Sequence, residues 1–159
     1  MKLLKCCVIC FIFILVLFGC NKFHISQNTI LYTLIEKNSQ ESFLSQHLQD
    51  NEKYVFLFID VDCGVCMFEL KWWISFLDAH KKIKPLFVVN SKKNNLLEFI
   101  IFSDLKKYPI ILDNNFKICT ENAITSSKII VITDSSLNIL YKGDPLNSNQ
   151  FNTFYSNLQ

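Results

Sequence analysis

The side chains best suited to chemistry are two cysteines, Cys63 and Cys66, separated by Gly64-Val65. An unbroken apolar run over residues 55–59 precedes them and a long apolar stretch follows, so the pair is predicted to sit where a strand turns into a helix. A thiolate in the first turn of a helix faces unsatisfied backbone N–H groups and the positive end of the helix dipole. Both lower its pKa and make it nucleophilic, so Cys63 is the candidate nucleophile. One turn further on, Cys66 can close a disulfide with Cys63 and release a bound partner, which makes it the candidate resolving thiol. The same pair also admits a static brace or half of a zinc site. Zinc would need two more ligands, and His24, His47, His80 and Cys119 show no second paired spacing, so no metal is expected.

Charged neighbours bear on this pair. Asp62 places a negative charge beside Cys63 and opposes the helix end. Glu69, one turn beyond Cys66, is a candidate proton relay to the resolving thiol if it is partly buried, and otherwise a solvated helix carboxylate. Asp60 closes the strand ahead of the motif and reads as a turn or cap residue, with proton handling as the other reading. Trp72 and Trp73 read as core aromatics of the helix rather than a substrate platform. Cys119 is a lone thiol in a stretch without clear periodicity and reads as incidental.

The N-terminus points to export. Lys2 and Lys5 precede residues 6–18, a run without charge, and Gly19-Cys20 follows. That run is shorter than the ~20 residues of a comfortable membrane span and matches a secretory leader. Of 16 Lys plus Arg against 14 Asp plus Glu, two lie in this leader, so the remainder is neutral and the basic pI belongs mostly to the leader. No arginine occurs and the lysine pairs are scattered, which argues against nucleic acid as a partner. Of seven cysteines, Cys6, Cys7 and Cys10 leave with the leader and Cys20 stands at its end as the proposed anchor, so Cys63, Cys66 and Cys119 remain. An exported chain that keeps one close pair and a leftover thiol is not a disulfide-stapled scaffold.

Around the cysteine pair the periodicity predicts a small α/β sandwich. Residues 21–38 read as a spacer. Ser39 is expected to cap a short helix over 41–50, where Phe43, Leu44, His47 and Leu48 recur at helical spacing. Strands are expected over 54–59, 86–89 and 109–112, with helices over 64–80 and 94–103. Residues 116–125 read as irregular. A hairpin is expected from 129–133 and 137–141 about Asp134-Ser135-Ser136, followed by a helix over 148–158 that aligns Phe151, Phe154, Tyr155 and Leu158 on one face.

This order of elements, with Cys63-Gly64-Val65-Cys66 opening the first long helix, resembles the thioredoxin fold. Glu69 in a C-x-x-C-x-x-E pattern and the hairpin from Asp134 to Gly143 are similar to the exported TlpA/ResA-type thiol-disulfide oxidoreductases, and to thioredoxin-like lipoproteins of the Bacteroides group. Leu17-Phe18-Gly19-Cys20 resembles a bacterial lipobox, with Phe18 where a small residue is usual. The resemblance implies a three-layer α/β/α sandwich with a central mixed sheet and a C-terminal hairpin plus helix. It implies a signal peptide over 1–19, a lipidated Cys20 with spacer over 20–40, and a thioredoxin-like domain over 41–159.

Three residues depart from that family. Asp62 stands where Trp usually precedes the first cysteine, and Lys71 where Pro often follows the Glu. The loop before the hairpin, Thr125-Ser126-Ser127-Lys128, lacks the cis-proline that presents backbone to a partner. Ser127 is nearest that place, and Ser126 and Ser127 are the candidate substrate loop. A trans loop is expected, because a cis bond before a non-proline residue costs ~3 kcal/mol. Leu57 occupies the position of the buried acid of thioredoxins proper, so that relay is absent.

The implied function is a lipid-anchored, periplasm-facing envelope protein that exchanges disulfides with protein thiols, in the reductase direction. It needs an envelope electron donor and no cofactor. The rival is a thioredoxin-fold binding or scaffold lipoprotein whose cysteine pair is a structural disulfide. A peroxide-consuming relative would need a second catalytic grouping about a lone cysteine, which the sequence does not show.

Overall fold

The computed structural model describes residues 22–35, 38–90, 104–113, 115–146 and 148–158, and for 33–35, 38–39 and 64–68 the backbone alone. Its centre is a seven-stranded mixed sheet in the order β2-β1-β5-β4-β3-β6-β7. The strands are β1 (Ile30–Ile35), β2 (Asn38–Phe43), β3 (Lys53–Asp60), β4 (Lys84–Asn90), β5 (Ile110–Leu112), β6 (Ile130–Asp134) and β7 (Ile139–Gly143). The helices are α1 (Leu44–His47), α2 (Gly64–Ala79), α3 (Lys117–Glu121) and α4 (Asn149–Ser156). β3, β4 and β5 run parallel, and β1 and β6 join them antiparallel.

β3 lies inside the sheet and is covered on both faces, which is why its sequence is a continuous apolar run rather than an alternating one. Val55, Leu57 and Ile59 face one cluster with Trp73, Leu77 and Phe151 from α2 and α4, while Tyr54, Phe56 and Phe58 face the other with Phe23, Leu44 and Ile118. The two-residue side-chain period of β3 therefore feeds two cores from one strand. Trp73 is 1% exposed and Trp72 packs on the same core, in keeping with a structural reading of both.

β1 and the segment before it replace the expected spacer. Phe23 is buried against Phe56 with ring centroids 4.4 Å apart, and Asn122 brackets the His24 backbone, accepting from its N–H at 2.7 Å and donating to its carbonyl at 2.9 Å. The expected Ser39-capped helix is likewise overturned. Residues 38–43 pair with β1 as an edge strand, and helix persists only over Leu44–His47, with the Gln46 side chain accepting from Phe43 N–H at 3.2 Å. An available strand partner outweighs the helical spacing of Phe43, Leu44 and His47.

Residues 116–125 are not wholly irregular either, since α3 forms there under the carboxylate of Asp113. The hairpin is as expected except that β7 begins at Ile139, because Leu137 takes a left-handed turn conformation with φ 66° and buries its side chain. Ser148 caps α4 by accepting from Phe151 N–H at 2.9 Å. The helix expected over 94–103 lies outside the described residues. Among those residues no helix is long and apolar enough to cross a membrane.

Candidate functional site

Cys63 is the N-cap residue of α2, where its half-buried side chain meets the first turn of a sixteen-residue helix. The loop that delivers it is fixed by backbone. Val61 N–H donates to Asn90 O at 3.1 Å, Cys63 N–H to Asp60 O at 3.3 Å, and Asp62 N–H to the Asp60 carboxylate at 3.0 Å. Asp60 is thus the turn residue that aims the motif. Asp62 is exposed. No acidic side chain occupies the first turn of α2, so the helix end is not neutralised from within. Cys66 is the third residue of that helix, and its side chain, like Cys20, lies outside what is described.

Glu69 is half-buried two turns into α2, and the Ser127 hydroxyl donates to its Oε2 at 2.5 Å. Ser127 sits in a tight turn in which Ser126 O accepts from Ile129 N–H at 3.1 Å and Ser126 Oγ from Lys128 N–H at 3.2 Å. The described peptide bonds are all trans, this loop included. The expected substrate loop and the expected proton-relay acid are therefore in direct contact. Leu57 is fully buried at the place of the missing acid.

Between this loop and the ends of β3 and β4 opens a cleft of about 270 Å³, lined by Phe58, Asp60, Asn90, Cys119, Ser126 and Ser127 among others. Cys119 is buried in its wall on α3. Asp113 positions α3 by accepting from the backbone N–H groups of Lys117, Ile118 and Cys119 at 2.8, 3.0 and 3.3 Å. Asn90 fits this network with its amide nitrogen donating to Asp113 Oδ2 at 3.1 Å and Asp113 O at 3.0 Å, which turns its oxygen to the Cys119 thiol as acceptor. The opposite orientation, with nitrogen donating to Sγ at 3.3 Å, would set the amide oxygen against two acceptors. Burial pushes the Cys119 thiol up, and the Asp113 and Asp60 carboxylates push the same way. These effects favour the protonated thiol at Cys119 over the thiolate that a nucleophile needs.

Asn90, Asp113 and the cleft escaped the sequence reading. Their signal is a lone polar residue closing an apolar strand, Val-Val-Asn at the end of β4 and Ile-Leu-Asp after β5, at the sheet end that carries Cys63. The histidines stay apart. His80 stacks on Phe76 with Nδ1 2.7 Å from its carbonyl oxygen, and His47 packs near Tyr54. Among the described residues no three His, Cys, Asp or Glu side chains converge as a metal site would require.

Solved structures of similar fold are numerous. One is the thioredoxin domain of a thiol-disulfide oxidoreductase from Bacteroides vulgatus, 16% identical, with a TM-score of 0.54 over 85% of this chain and 99% of that one. The fold is thioredoxin-like. StoA from Bacillus subtilis is 20% identical, with a TM-score of 0.52 over 75% of this chain and 89% of its own. The exposed lipoprotein thioredoxin Etrx1 from Streptococcus pneumoniae is 12% identical, with a TM-score of 0.55 over 82% and 97%. No protein-family model matches the sequence, and no curated protein matches it. At these identities the likeness is one of fold, within which Cys63 stands at the helix N-terminus.

Proposed function

We propose that this chain is a thiol-disulfide oxidoreductase of the TlpA/ResA type that acts on protein disulfides in the bacterial envelope, held to the membrane by lipid on Cys20. The observation that carries the reading is Cys63, partly exposed at the N-cap of α2, with Cys66 one turn on. In the reductase direction the Cys63 thiolate attacks one sulfur of a partner disulfide. The partner S–S bond breaks, a mixed disulfide forms, and the departing partner thiolate takes a proton. Cys66, deprotonated, then attacks Cys63 Sγ, releasing the second partner sulfur as thiol and leaving Cys63–Cys66 oxidised by two electrons. An envelope dithiol donor restores the pair. Glu69 is the candidate group to take the Cys66 proton, and its hydrogen bond to Ser127 keeps the carboxylate in a defined place.

Envelope placement draws support from the leader-like residues 1–20 and from the likeness to a fold neighbour described as an exposed lipoprotein. The test is disulfide reduction by the fragment from Asn21 onward with excess dithiol, alongside Cys63→Ser and Cys66→Ser. Activity is expected to vanish with Cys63, and Cys66→Ser is expected to trap a mixed disulfide. Turnover that persists without Cys63 rules the assignment out, and a pair inert to alkylation and reduction leaves the scaffold reading.

A further inference from the structure

We propose that the cleft beside Cys63 receives a lysine or arginine side chain that neighbours the reacting cysteine of the partner protein. The proposal rests on the thiol-disulfide reading above and names the class of partner it selects.

Size comes first. At about 270 Å³ the cleft is large enough to take one long side chain. Position is the second argument. Asp60 contributes to the cleft and its carbonyl accepts the N–H of Cys63, so the cavity begins one turn of loop from the nucleophile. A disulfide that reaches Cys63 brings the residues flanking it to this opening.

Chemistry decides the class. Phe58 and Ile124 supply apolar surface, Asp60 supplies a carboxylate, and among the described residues that line the cleft there is no Lys or Arg. One oxygen of Asp60 already accepts from Asp62 N–H, and an ionised carboxylate has acceptor sites to spare. Asn90 is committed to Asp113, which leaves the Asp60 carboxylate as the charged group of the described lining. The upward push of Asp60 and Asp113 on Cys119 is a second sign of a negative interior, after burial. A long basic side chain can lay its methylene stem on the apolar wall and carry its charge to Asp60. An acidic side chain would meet Asp60 across a short, poorly screened distance.

The experiment compares three peptide disulfides that are alike except for Lys, Ala or Glu beside the cysteine, reduced by the protein with constant dithiol. The kcat/KM ratio of the Lys to the Glu peptide is expected to be about tenfold at low ionic strength and to shrink as salt rises. Asp60→Asn is expected to bring the ratio near one. Thr125→Lys, on the exposed rim, is expected to favour the Glu peptide, and it carries the test if Asp60→Asn fails to fold. Equal turnover of the three peptides, or a preference that neither variant moves, overturns the pocket and leaves the redox reading standing. No turnover of any peptide sinks both.

Discussion

Ser127 Oγ–H donates to Glu69 Oε2 at 2.5 Å, across 58 residues of chain, and so joins the loop before β6 to the helix that opens with Cys63. The loop has no proline to stiffen it. The Ser126 turn and this charge-assisted contact help to set its shape. The Ser127 hydroxyl thus ties the cleft wall to the Glu69 carboxylate.

Removing that hydroxyl should loosen both. Hydrogen bonds to charged groups contribute ~1.5–3 kcal/mol when buried, and the half-exposed setting of this one lowers the expectation for Ser127→Ala to about 1 kcal/mol. Ser127→Thr keeps the donor and should stay within ~0.5 kcal/mol of the parent. Urea midpoints at constant slope check this, and equal midpoints for Ala and Thr variants would show that the contact contributes nothing.

Asp113 is expected to matter more. Its carboxylate receives three backbone N–H groups at the start of α3, and Asp113→Ala would strand them while also depriving Asn90 of its partner. A loss of roughly 2–3 kcal/mol is expected. Because α3 carries Cys119, the same variant should raise the alkylation rate of that thiol. Unchanged reactivity would mean that α3 holds without its cap.

The Cys119 thiol sets a pH signature. Burial first, then Asp113 and Asp60, raise its pKa above the ordinary 9.0. The folded state therefore keeps a proton that the unfolded chain has begun to lose, and stability falls as pH climbs through 9.0 toward the folded value. Well below 9.0 both states are protonated and the effect is absent. Cys119→Ala should flatten the stability curve above pH 9 relative to the parent, as read by unfolding at a series of pH values. With Cys63 and Cys66 replaced by Ser, the alkylation of Cys119 should lag an unperturbed thiol throughout this range.

Docking of α4 depends on Phe151. It is 1% exposed, with Phe76 at 5.4 Å and Tyr141 at 5.3 Å between ring centroids. Phe151→Ala is expected to cost about 3–5 kcal/mol. Calorimetry or urea unfolding reads this directly, and a loss below ~1 kcal/mol would mean that the α4 face collapses to fill the space.

The elements whose residues bury themselves along a regular period were legible from the amino-acid order. Residues 54–59, 86–89 and 129–133 announce strands, and Phe151, Phe154, Tyr155 and Leu158 announce the last helix, because local periodicity and burial point the same way. Cys63 at a helix start was legible for the same reason, since strand, motif and helix are contiguous. Residues 38–43 were misjudged because a polar edge strand has no period of its own and is defined by the partner β1 offers. α3 was missed because its cap, Asp113, lies outside it.

The chain by itself decided that Cys63 and Cys66 lie three residues apart and which helix carries them. Tertiary structure alone decided that Ser127 meets Glu69, that Asn90 and Asp113 brace the wall holding Cys119, and that a cleft with Asp60 in its lining opens at this end of the sheet. Those relationships join residues distant in sequence, with nothing local to announce them. They exist only once parallel β3 and β4 bring their carboxyl ends together beside the loop that precedes β6.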